Sequence, residues 1–191
     1  MARPPSAEKR QAIVAAAVMQ FAQRGVWSTP TAAISDSAGI AEGTLFRYFQ
    51  TKHLLVNEVH RVLTRELADT LLSAYPIAAD ARIRFKHLWD RYVHWGITHP
   101  DRFRVLVQLQ SSAAPASAGR AVAGSGRPAI ERLAKDSIRK KRIRNQPLPY
   151  LAAIMAGLAQ TTVVFLTENG RSRIDYSAAG FEIFWAGIKL A

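Results

Sequence analysis

The chain has 191 residues, no cysteine, and 26 Lys and Arg against 14 Asp and Glu, a formal net charge of +12 at pH 7. This length accommodates one domain, or a small module joined to a larger one, with a sizeable core; 49% hydrophobic residues and a mean hydropathy of -0.03 exclude a disordered polyelectrolyte and a multi-span membrane protein. The lack of cysteine excludes disulfides, thiolate metal sites and a cysteine nucleophile and fits a reducing cytoplasm, while the basic balance favours an anionic partner.

Helical periodicity dominates and no series of alternating strands is visible, so an all-α fold is expected. A first helix is predicted from about Ala7 to Arg24, with Ser6 as N-cap, Glu8 in the first turn, Ile13, Ala17 and Phe21 on one face, and Gly25 as the stop. Thr29-Pro30 reads as a cap followed by proline at the first helical position, opening a short helix to about Ser37. After the Ala38-Gly39-Ile40 turn, a third helix covers about Ala41 to Tyr48 and a fourth runs from Thr51 to about Ser73, where Tyr75-Pro76 closes the segment.

Beyond it, Asp80 to Thr98 carries an aromatic stripe of Phe85, Trp89, Tyr92 and Trp95, followed by a helix from Asp101 to about Ser112. Ser111 to Pro128 is rich in Ala, Ser and Gly and reads as a loop. Helices resume at Ala129 to Arg144, Pro149 to Glu168 and Ser177 to Lys189.

The charge is uneven: residues 1–76 hold 8 basic and 6 acidic side chains, and 77–191 hold 18 and 8, so bulk charge does not locate a binding site. Glu8, Lys9 and Arg10 interrupt the start before any apolar run, so no secretory signal is expected. Pro147 to Thr167 is uncharged and long enough to span a membrane. Its Pro147, Pro149, Gln160, Thr161 and Thr162, and the lack of a second such run, favour instead a helix buried between protein surfaces, with no membrane partner.

Two short helices about a glycine turn are the layout of a helix-turn-helix, whose second helix enters a DNA major groove. Ile34, Ala38, Ile40, Leu45 and Phe49 would face Ile13, Ala17 and Phe21, leaving Glu42, Thr44, Arg47 and Tyr48 outward. From about Arg10 to Leu55 the sequence resembles the N-terminal domain of TetR/AcrR-family transcriptional regulators. The resemblance rests on Arg10, Ile13, Ala16-Ala17, Phe21 and Gly25, then Thr29, Ile34, Ala38-Gly39-Ile40 and Gly43-Thr44-Leu45-Phe46, and finally Tyr48-Phe49, Lys52 and Leu55.

The resemblance implies a DNA-binding domain over 1–55, a connecting fourth helix over 51–73, and a helical domain over 77–191 for effector binding and dimerisation. It implies that Gly43 lets the helix approach the duplex closely and Thr44 meets base edges, with Tyr48, Lys52 and Thr31 on phosphates and Arg47 on either. Ala41 stands where the family usually has a Ser or Thr cap, and Phe46 where tyrosine is commoner. Glu42 suits a helix N-terminus yet repels phosphate, so it is expected to accept from a cytosine N4 or to point aside.

For the second domain, Trp89, Tyr92, Trp95, Phe103 and Gln108, with Met155, Gln160 and Phe165, line either an apolar effector pocket or simply a core. Leu151, Ile154 and Leu158, with Phe181, Phe184, Trp185 and Ile188, form apolar stripes suited to a subunit interface or to an internal core. His87, Asp90 and His94 share a helix face, but an ordinary i, i+4 pair explains them better than a metal site. Arg139 to Arg144 reads as a solvated basic helix end, and the Gly119 to Gly126 run lacks the ending of a phosphate loop.

No cofactor, metal or catalytic residue is expected, and no nucleophile and base stand at a recognised spacing. The expected partners are a duplex operator with an inverted repeat, a second copy of the chain, and a small-molecule effector that releases a repressor. The competing reading is a helical small-molecule-binding protein that no longer reads DNA.

Overall fold

The computed structural model describes residues 6–111, 127–169 and 174–190. Among these residues it contains nine helices and no strand: α1 (Ala7–Arg24), α2 (Thr31–Ser37), α3 (Glu42–Tyr48), α4 (Lys52–Leu72), α5 (Ala81–Thr98), α6 (Pro100–Ser111), α7 (Arg127–Arg139), α8 (Leu148–Asn169) and α9 (Tyr176–Ile188). The chain divides into two compact units. The first holds α1 to α3, α4 up to Arg65, and α6; the second holds α4 from Glu66, α5, and α7 to α9.

In the first unit α1 begins as its sequence dictates, with the Ser6 hydroxyl accepting from the Lys9 N–H at 3.2 Å, and ends at Gly25, whose φ of 85° suits glycine. The α2 cap differs from expectation. Pro30 itself takes the N-cap position, and the Thr29 hydroxyl turns back to donate to the Gly25 carbonyl at 2.7 Å, satisfying the end of α1 rather than the start of α2. Gly39, at φ 64°, makes the turn to α3, and Ala41 leaves α3 without a side-chain cap. Ile13, Ala17, Phe21, Ile34 and Leu45 are fully buried and Phe49 nearly so, whereas Ala38 and Ile40 are only half-buried.

α6 packs on α1, so Phe103 and Gln108 belong to the first unit, and the Gln108 side-chain oxygen accepts from the Val26 N–H at 3.2 Å. Pro100 occupies the first helical position of α6, where its missing N–H removes no bond.

The second unit packs α5 against α8 and α9. Trp89 stacks on Phe184 with ring centres 6.3 Å apart, and Phe85 and Phe181 complete the aromatic core. The indole N–H groups of Trp89 and Trp95 donate to the Ser177 carbonyl and the Glu66 carboxylate, so both buried rings keep their polar edges satisfied. α7 stops at Arg139 rather than Arg144: the chain turns at Lys141, φ 54°, and Ile143 pairs with Lys189 in an antiparallel bridge. The expected Ser111–Pro128 loop and the Gly119–Gly126 run lie almost wholly outside the described residues.

At Gly180 a Cβ would lie 2.7 Å from the Thr162 hydroxyl and 2.8 Å from Trp89 Cζ2, so the glycine is what lets α9 approach α8 and α5. Gly180→Ala is therefore expected to cost about 2 kcal/mol by overpacking, read as a lower midpoint in urea unfolding with an unchanged slope.

Candidate nucleic-acid interface

The surface that α3 presents is set by three anchors. The Ser6 N–H donates to the Tyr48 hydroxyl at 2.9 Å, which leaves the phenolic proton free to donate outward. Glu58 on α4 accepts from Arg10 of α1 and from Nε and Nη2 of Arg61, the latter two at 2.7 Å, and the Arg10 guanidinium lies 4.9 Å from the centre of the Phe49 ring. The third anchor is Lys52, whose ammonium donates to the carbonyls of Trp27 at 2.8 Å and Thr29 at 2.6 Å and so ties the α1–α2 loop to the start of α4. Burial pushes the Lys52 pKa down. Thr51 caps α4, its hydroxyl accepting from the Leu54 N–H.

On this frame, Glu42, Gly43 and Arg47 are exposed and Thr44 and Tyr48 half-exposed, with Leu45 and Phe49 pointing inward. At Gly43 an added Cβ would meet nothing within 4 Å, so no internal packing explains the glycine. Thr31 does not stand free for a phosphate: its hydroxyl donates to the Glu42 carboxylate at 2.6 Å. Lys52 has likewise committed two of its three donors to carbonyls, leaving one for an outside anion.

Trp27, passed over in the sequence, and Phe46, read there only as a departure from tyrosine, join this surface. Trp27 is 47% exposed and packs its ring 5.5 Å from that of His53, just after Lys52, and Phe46 is 40% exposed beside Arg47. An aromatic residue two positions after a helix-ending glycine was the available signal.

The other candidate residues, read as pocket or core and as interface or core, are distributed over both units. Trp89, Tyr92 and Trp95 are core of the second unit, and burial pushes the Tyr92 hydroxyl up to about 12. Phe103 and Gln108 fall in the first unit, and Met155 is half-buried. Gln160 and Phe165 edge a surface hollow with Thr161, Val164 and Glu168.

Leu151, Phe181, Phe184 and Ile188 are buried within their own chain, and Ile154, Leu158 and Trp185 are half-buried. The small and apolar residues that α8 and α9 expose instead include Ala152, Ala153, Gly157, Val164 and Phe165, with Ile183, Ala186 and Gly187, beside polar Thr161, Glu168 and Glu182. α8 is therefore only partly buried by its own chain. It is long and apolar enough to cross a membrane by length and composition, with 17% of its apolar window buried.

Asp90 pairs with Lys86 at 2.7 Å rather than with His94, and no group of three or more metal-binding side chains converges among the described residues. The basic residues after Arg139 stand exposed on a turn, with Ile143 buried among them, and Arg139 pairs with Asp136.

This arrangement, a capped first helix packed on two short helices about a glycine turn, is that of a helix-turn-helix. Residues 13–59 match the model of the tetR family of bacterial regulatory proteins. A 69-residue stretch, 36% of this chain, is 36% identical to the HTH-type transcriptional repressor KstR2 of Mycolicibacterium smegmatis, of which it spans 32%.

Two solved structures share the fold. A tetR-family transcription regulator from Marinobacter aquaeolei is 21% identical at a TM-score of 0.83, with 95% of each chain covered. A candidate tetR-family regulator from Shewanella sp. PV-4 is 23% identical at a TM-score of 0.85, covering 96% of this chain and 99% of that one. Over residues 13–59 the chain is thus similar to the N-terminal domain of the tetR family.

The hydrogen bonds from Arg61, with the bonds and positive charge of Arg10 besides, hold the Glu58 carboxyl at about 2, below its ordinary 4.5, against the opposing effect of burial. A carboxyl with a depressed folded-state pKa adds stability above about pH 4.5 that is lost as pH falls towards 2. Glu58→Gln should cost about 2 kcal/mol at neutral pH and flatten the acid limb of stability over that window, measured by urea unfolding at a series of pH values.

Proposed function

We propose that this chain is a homodimeric, sequence-specific transcriptional repressor that binds an inverted-repeat operator in the cytoplasm and leaves it when a small-molecule effector binds the second unit. The observation that carries the reading is the outward face of α3. Gly43 has no internal reason to be glycine, Thr44 and Arg47 reach outward beside it, and the Tyr48 phenol is oriented by the Ser6 N–H within a tetR-family domain. Gly43 admits the duplex backbone, Thr44 offers a hydroxyl and a methyl to base edges, and Tyr48 donates to phosphate. Arg47 and the remaining donor of Lys52 add positive charge at the phosphates.

Dimerisation is supported by the exposed apolar face of α8 and α9. Gly157 and Gly187, like Gly43, would meet nothing with a Cβ, and small residues at such positions let helices of two subunits approach closely. A second copy covering this face accounts for the apolar surface of α8 without a membrane. In such a dimer the two α3 helices read half-sites about 34–36 Å apart. An effector releases the operator only by binding more tightly to the conformation that does not fit both half-sites.

The test is selection of random duplexes at near-physiological salt, with sedimentation equilibrium of the free chain. The expected outcome is an enriched inverted repeat, bound about 10³-fold or more tighter than a scrambled duplex, and a particle of twice 21.1 kDa. Weak, sequence-independent binding lost with salt would instead support the ligand-binding alternative, with DNA held by charge alone.

A further inference from the structure

Glu42 is the acidic residue of α3, at the end of the helix that would enter the groove, and it is exposed. A free carboxylate there weakens binding to any duplex, because phosphates flank the groove. Glu42 is not free: the Thr31 hydroxyl, from the first residue of α2, donates to its Oε1 at 2.6 Å, within the range of a charge-assisted O–H to carboxylate bond. The bond joins the first residues of both helices of the motif and fixes where the carboxylate lies. It also commits the single proton of Thr31, so this hydroxyl is not a phosphate donor while the bond is made.

We propose that Glu42 is a specificity-determining residue that selects cytosine at one position of each half-site, and that Thr31 is its positioning residue. This rests on the DNA-reading function above. A carboxylate only accepts, and Thr31 uses one lone pair of Oε1, so Oε2 stays available to a donor on a base edge. In the major groove guanine presents N7 and O6 and thymine presents O4, all acceptors that repel a carboxylate. Adenine presents its N6 donor beside the N7 acceptor. Cytosine presents N4–H₂ and no major-groove acceptor of its own, and so fits an anionic reader. Gly43, with no side chain next to Glu42, leaves the approach open.

The test repeats the duplex selection with the wild type, Glu42→Gln, Glu42→Ala and Thr31→Val, and measures the melting temperature of each. The wild type is expected to require cytosine at one position per half-site. Glu42→Gln should move that position towards adenine, whose N6 and N7 a carboxamide pairs in bidentate fashion, with roughly tenfold weaker binding to the wild-type site. Glu42→Ala should make the position indifferent, and Thr31→Val should relax the same position and no other. In all variants the salt dependence stays unchanged, because no phosphate contact is lost.

Tighter binding of Glu42→Ala to every duplex, with base preference unchanged, would overturn the proposal and make Glu42 a repulsive bystander. A Thr31→Val variant with a lower melting temperature and wild-type base preference would overturn the positioning role. A wild-type chain that enriches no sequence would remove the DNA-reading function itself, and this inference with it. An enriched site with no cytosine at a position governed by residue 42 would remove this inference alone.

Discussion

The outward face of α3 depends on the ionic clamp at Glu58. A seven-residue helix without a side-chain cap has little stability of its own, because nucleating a helix costs more than so short a run of hydrogen bonds returns. α3 keeps its shape because Leu45 and Phe49 are buried and because Arg10, held by Glu58, covers the Phe49 ring. The same carboxylate holds Arg61 one turn further along α4, so one nearly buried anion ties together α1, the end of α3 and α4. Removing it would leave two guanidinium groups without their acceptor, a larger loss than a surface ion pair represents.

Hydrogen-bond partners sort the polar residues of this surface into two groups. Thr29, Thr31 and Lys52 turn inward to carbonyls or to Glu42, and they build the frame. Gly43, Thr44, Arg47 and the phenolic proton of Tyr48 turn outward. A residue of the first group changes DNA affinity through the shape of the frame as well as through direct contact. Substitutions at Lys52 are informative only beside a measurement of stability.

Much of the fold was legible because its signals are local. Ser6, Gly25, Gly39 and Pro100 each act within one turn of the chain, and the period of Ile13, Ala17 and Phe21 alone gives the buried face of α1. What escaped depends on contacts distant in sequence. The basic residues after Arg139 are good helix formers, but the Arg144 N–H bonds the Ile188 carbonyl and the Leu190 N–H the Arg142 carbonyl, which pulls the chain out of the helix. α8 and α9 are apolar nearly all round, so periodicity could not say which face turns inward; the large rings Phe181 and Phe184 do, and small residues with Ile183 remain outside. In the site, the residue types proposed to meet DNA were visible in the sequence. The commitment of Thr31 to Glu42 and of Lys52 to two carbonyls was not, since it depends on the loop geometry between α1 and α2.

The central claim is that α3 is shaped for close approach to a duplex rather than for internal packing, and Gly43→Ala separates the two. Replacing a helical glycine by alanine where the new methyl meets nothing should leave the melting temperature unchanged or raise stability by about 0.5–1 kcal/mol. The methyl would nevertheless stand between the helix and the DNA. The account predicts a variant at least as stable as the wild type whose affinity for the selected operator falls about tenfold or more, the scale of a lost base contact. A variant equally stable and equally tight on the operator would contradict it.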